Sequence, residues 1–203
     1  MIRVGLTRMR PVECELYLYP AELYDIDGLE RYDDLETLYR YAYERLKKYY
    51  KEEVGLYING GLLIEVLTAM LAAENLDIVL HIFHWNRETG VYIEQKIRTR
   101  IDMEQEQEKE TVERSLCGKR HFAIKAIPIF EEIPKERVMD FEWMQCQADS
   151  QLEQLAGERI KLYASGLTQA LISVWNAAKK YSVELEVLHY NIDTEDYFIQ
   201  KLM

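Results

Sequence analysis

The chain has 203 residues, of which 48% are hydrophobic, enough to bury a proper core in one large domain or two small ones. Its formal net charge of -11 sets up repulsion toward any polyanion, so polymeric DNA or RNA is a poor partner. A small anion is not excluded, because a few backbone N–H groups can hold one inside an acidic protein.

From the amino terminus, Met1 to Pro11 places Arg3, Arg8 and Arg10 among single apolar residues and lacks the apolar core of a signal peptide, so a cytoplasmic protein is expected. Cys14 to Tyr19 reads as a strand. Asp33 to Tyr50 carries Leu35, Leu38, Ala42, Leu46 and Tyr49 on one stripe and predicts a helix. Val54 to Ile58 is short, partly β-branched and followed by glycine, as a buried strand would be. Leu62 to Glu74 is apolar nearly all round. It predicts a helix covered on two sides, with Leu62 to Ala73 a surface through which copies of the chain could associate. The stretch is too short, and too interrupted by Glu65, to span a membrane. Asp77 to Asn86, a turn at Arg87 to Gly90 and Val91 to Ile97 then read as a β-hairpin.

Asp102 to Lys119 is rich in Glu, Gln and Lys without apolar periodicity and reads as an exposed linker or a solvated helix. Beyond it the series returns. Phe122 to Ile127 is a strand candidate, Val138 to Leu155 a helix, Ile160 to Ala164 a strand, Thr168 to Tyr181 a helix, and Val183 to Asn191 with Asp196 to Leu202 a hairpin.

The return is an internal duplication. At a constant offset of 105, Gly61 falls on Gly166, Ala72 on Ala177, His84 on His189, Asn86 on Asn191, Tyr92 on Tyr197 and Gln95 on Gln200, giving 11 identities in the 37 positions from Gly61 to Ile97. Unrelated sequences of this composition would give roughly two or three. A fainter match sets Glu15 to Pro20 against Ile124 to Pro128. The expected fold is α/β: two tandem Rossmann-like β-α-β-α-β-β repeats, residues 1–101 and 120–203, joined by the charged linker 102–119 and related as a pseudo-two-fold dimer.

In a parallel sheet ligands bind beyond the carboxyl ends of the strands, where loops lead into helix N-termini. That address holds Asn59-Gly60-Gly61 in the first repeat and Ser165-Gly166-Leu167-Thr168 in the second. Glycine lets a ligand approach the backbone there, although a strand-to-helix turn needs glycine for geometry alone. His84 and His189 end equivalent strands, two residues before Asn86 and Asn191. A neutral imidazole could bind a ligand or act as a general base in phosphodiester hydrolysis, while a histidine that braces its own hairpin explains the same pattern. No Walker motif, G-x-G-x-x-G or G-x-S-x-G is present, no ligand pair recurs at metal-binding spacing, and no cofactor is expected. Cys14, Cys117 and Cys146 are odd in number and far apart, as reduced thiols are.

The paired strand, glycine loop and helix units, above all Leu162-Tyr-Ala-Ser-Gly-Leu-Thr168, resemble the Rossmann-like nucleotide-sensing domains of CRISPR systems, the CARF domains. The resemblance implies two-fold partners holding a cyclic oligonucleotide between them, here within one chain, with Gly60, Gly61, Ser165, Gly166 and Thr168 at the ligand. The functions weighed are therefore a small-ligand sensor with a site between the repeats, a non-enzymatic scaffold or protein-interaction module, and a small-phosphodiester hydrolase using His84 or His189.

Overall fold

A computed structural model of the chain describes residues 1–7, 12–19, 35–60, 62–97, 111–118, 126–191 and 196–201. These residues fall in two compact units, Met1–Ile97 and Arg98–Met203. In the first, β1 (Ile2–Thr7), β2 (Leu16–Tyr19), β3 (Glu53–Ile58) and β4 (Val79–Asn86) are parallel, and β5 (Val91–Gln95) adds an antiparallel edge, in the order β2-β1-β3-β4-β5. The second unit repeats the plan. There β6 (Thr111–Cys117), β7 (Ile127–Phe130), β8 (Arg159–Ala164), β9 (Glu184–Asn191) and β10 (Asp196–Lys201) lie in the order β10-β9-β8-β6-β7, with β10 antiparallel.

Helices α1 (Leu35–Leu46) and α2 (Leu63–Asn75) follow β2 and β3, and α3 (Phe141–Glu153) and α4 (Thr168–Tyr181) follow β7 and β8. Both crossovers of a unit step across its sheet in one direction, so right-handed connection puts both helices on one face. There α1 packs on α2, and α3 on α4. The core fills this layer: Val4, Leu6, Leu18, Leu56 and Ile82 of the sheet are buried together with Leu38, Ala42 and Leu46 of α1 in the first unit, and Leu116, Ile160, Leu162 and Val187 together with Met144, Ala148 and Leu152 of α3 in the second.

Two strands escape the sequence reading. β1 lies in the arginine-studded start of the chain, and β6 lies in the stretch expected to be a charged linker, of which residues 102–110 fall outside the described residues. Both sit beside the middle strand of their sheet. Period-two burial is hard to see in Thr-Val-Glu-Arg-Ser-Leu-Cys because only Ser115 and Leu116 are fully buried. With no helix on the second face among the described residues, Glu113 can stay exposed there while Leu116 enters the core. The strand expected over Phe122 to Ile127 is observed as β7, starting at Ile127; residues 122–125 fall outside the description. Register makes Leu16–Tyr19 the counterpart of Ile127–Phe130, because Val4 pairs with Leu16 and Leu56 as Arg114 pairs with Ile127 and Leu162.

The repeat also contains a shift that a gap-free alignment hides. Ile58 pairs with His84, and Ala164 with His189. With β4 and β9 in correspondence at 105, β3 and β8 therefore correspond at an offset of 106, whereas α2 and α4 correspond at 105. The first unit has four residues, 59–62, between strand and helix, and the second has three, 165–167. The structural partner of Gly166 (φ +140°) is Gly60 (φ +145°), not Gly61, which itself lies outside the described residues.

The shifted alignment exposes a repeated aromatic trio. Tyr57 meets Tyr92 edge to face at 4.9 Å and 82°, and Tyr163 meets Tyr197 at 4.9 Å and 88°. Trp85 and Tyr190 complete the two sets at 5.1 and 5.2 Å from those same tyrosines. Such pairs add to the stability gained by burial and hold each hairpin to its sheet.

The apolar helix does not behave as expected for an association surface. From Ile64 to Ala73 every residue of α2 except Leu71 is buried within the chain, which leaves little apolar surface for a second copy. Among the described residues no helix is long and apolar enough to cross a membrane.

Candidate functional site

In each sheet two neighbouring strands send their connections in opposite directions. From β1 the chain moves outward to β2, while from β3 it moves through α2 to β4. The equivalent pair is β6 and β8. Such a switch point opens a crevice at the carboxyl ends of the strands, the usual place for a ligand in an open α/β sheet. The crevice residues are Thr7, Asn59 and Gly60 in the first unit and Cys117, Gly118, Ser165 and Gly166 in the second.

The first unit fills its own crevice. Asn59 is 2% exposed; its Nδ2 donates to the Thr7 carbonyl at 2.7 Å, and its Oδ1 accepts from the Thr7 N–H at 3.3 Å. This amide imitates one more rung of the β1–β3 ladder. Glu65, 1% exposed, places Oε2 2.7 Å from the Leu62 N–H. A carboxylate thus occupies the N-terminus of α2, where unpaired N–H groups and the helix dipole favour negative charge. The buried Tyr19 hydroxyl closes the same region by donating to the Glu65 carbonyl at 3.0 Å and meeting Thr68 Oγ1 at 2.6 Å.

The second unit replaces each of these groups. Ser165 stands for Asn59, Cys117 for Thr7 and Ala170 for Glu65, so α4 has no acidic residue in its first turn. Thr168 opens α4 at the position of Leu63. A serine side chain is too short to bridge the strands, and no such bridge from Ser165 is present among the described residues. Gly166 lies against Cys117: a Cβ at Gly166 would sit 2.9 Å from its Sγ. Close packing and positive φ together require glycine here.

The histidines belong to the hairpins. His84 is 2% exposed and its Nε2 lies 2.7 Å from Gln95 Oε1 on β5. Burial outweighs that hydrogen bond and lowers its pKa from 6.5 to about 4. His189 is 5% exposed and stacks on Phe198 at 5.7 Å. Neither presents an accessible base, so this geometry lends no support to a hydrolytic role. Asn86 Oδ1 accepts from Glu88 N–H at 2.9 Å and Thr89 N–H at 3.3 Å, forming the hairpin turn that Gly90 completes. The side chain of Asn191 lies outside the described residues. No cluster of three metal-ligating side chains is present among the described residues.

Sequence reasoning overlooked Cys117, Gly118 and the capping role of Glu65. The last had a visible signal: Glu65 is the sole charged residue between Leu62 and Ala73 and stands three residues after the helix N-cap.

No protein-family model and no curated protein sequence matches the chain. Solved structures do. The Cap4 SAVED/CARF-domain containing receptor of Moraxella osloensis aligns over 100% of this chain and 49% of its own, with a TM-score of 0.58 and 11% identity. The chain shares its fold with about half of that receptor. The Acinetobacter baumannii Cap4 SAVED/CARF-domain receptor, in its structure with the cyclic trinucleotide 3'3'3'-cAAA, aligns over 98% of this chain at a TM-score of 0.53 and 11% identity. The same receptor in a second structure aligns at 0.52 and 10%. The chain spans about half the length of these SAVED/CARF receptors. At such low identity the likeness is one of fold, and both repeats fall within it.

Proposed function

We propose that the protein is a binding module for a small nucleotide-like anion, received at the carboxyl ends of the parallel strands. The observation that carries this reading is the loop Ser165–Thr168. It offers the first-turn N–H groups of α4, a serine and a threonine hydroxyl, and a glycine that admits a ligand to the backbone, with no acidic side chain on the helix terminus. The shared fold adds a neighbour whose structure holds a cyclic trinucleotide. The acidic charge of the whole chain selects against long polyanions and for a compact ligand gripped by local donors.

A panel of mono-, di- and cyclic oligonucleotides, 3'3'3'-cAAA included, tests this by thermal shift. A ligand held at 100 times its Kd stabilises the folded protein by about 2.7 kcal/mol, so at least one member should raise Tm in a concentration-dependent way. A flat response across the panel at millimolar concentration would remove the reading.

A further inference from the structure

The two repeats share an architecture, yet their crevices are chemically unlike, in their side chains as well as in the one extra loop residue of the first. Gly60 and Gly166 take nearly the same φ, +145° and +140°. What separates the loops is occupancy. In the first, the Asn59 amide is bonded to both polar groups of the Thr7 backbone, and the Glu65 carboxylate sits on the Leu62 N–H. In the second, Ser165 and Ala170 can do neither.

Resting on the nucleotide-anion reading above, we infer that the first repeat is closed by its own side chains, Glu65 standing where an anion would sit, and that the chain grips the anionic part of its ligand through the second repeat alone. The physical ground is electrostatic. A buried carboxylate on the end of α2 uses the donor groups and dipole that an incoming phosphate would need, and it repels a second negative charge at contact distance. The end of α4 carries no such charge, and Thr168 adds a hydroxyl donor where the first repeat has Leu63. Glu65 and Asn59 are therefore positioning residues that decide which repeat binds.

Backbone amide NMR on the full chain tests this, with inorganic pyrophosphate and 3'3'3'-cAAA as separate probes. The amides of Gly166, Leu167 and Thr168 should shift with saturation, while those of Gly60, Leu62 and Leu63 stay in place. In the Glu65→Ala variant the Leu62 and Leu63 amides should begin to respond to pyrophosphate. Glu65→Gln, which removes the charge and keeps an oxygen for the Leu62 N–H, serves the same purpose if the alanine variant does not fold. Equal shifts at both loops of the wild-type protein would overturn this inference and leave the binding reading standing. Shifts at neither loop with either probe would overturn the reading itself.

Discussion

Acidification from pH 6.5 to 4 is expected to remove about 3 kcal/mol of folding stability through His84 alone, the free energy of a shift from 6.5 to about 4 acting over that window. The folded state holds the imidazole neutral because burial penalises the cation more than the Gln95 bond favours it. The unfolded chain binds the proton near pH 6.5, so this stability is intact above that pH and is lost as pH falls toward 4. Replacing His84 with Gln should flatten the difference: denaturant unfolding at pH 7, 5.5 and 4.5 should show the wild-type protein losing more stability on acidification than the variant. Equal losses in the two would mean that His84 is not the buried neutral group described.

Gly166→Val is expected to be the most damaging single change at the second crevice. A side chain at φ +140° costs on the order of 1–3 kcal/mol in backbone strain alone, and its Cβ would press to 2.9 Å on the Cys117 sulfur. For a domain of about 100 residues each kilocalorie lowers Tm by roughly 4–8 °C, so a fall of about ten degrees is expected. Calorimetry separates the two causes. Cys117→Ala in the same chain should recover the steric part and leave the strain, so a double variant as stable as wild type would show that φ at residue 166 is unconstrained.

The sequence made the repeated helix and hairpin legible because their signals are local. Leu171, Val174, Trp175 and Ala178 mark α4 at its observed bounds, and the polar turn after Asn86 marks the hairpin. What it hid were the features that depend on neighbours distant in the chain. β6 is polar because half of it faces away from the helices, and its identity as a strand comes from its partners β7 and β8. The one-residue shift between Gly60 and Gly61 can be seen only through strand register, since adjacent glycines leave a letter-by-letter alignment free to choose either.

The candidate site shows the same division. Its address after β3 and β8 could be read from the strand, glycine and helix order. Its asymmetry could not, because the amide of Asn59 is used up by Thr7, which is 52 positions earlier in the chain. His84 and His189 are both buried in their hairpin strands, and bracing the hairpin accounts for their recurrence. Recurrence in a duplicated chain marks what both copies need, and both copies need the hairpin.

The most direct measurement is calorimetric titration of 3'3'3'-cAAA, or of whichever panel nucleotide raises Tm most, into the wild-type protein and into Thr168→Glu. An acidic residue in the first turn favours the helix, so the variant should fold at least as well. Saturable binding to the wild-type protein is expected, with affinity at least about tenfold weaker in the variant, a change of about 1.4 kcal/mol. Undiminished affinity in a folded Thr168→Glu protein would contradict the placement of the anion at the Ser165–Thr168 loop.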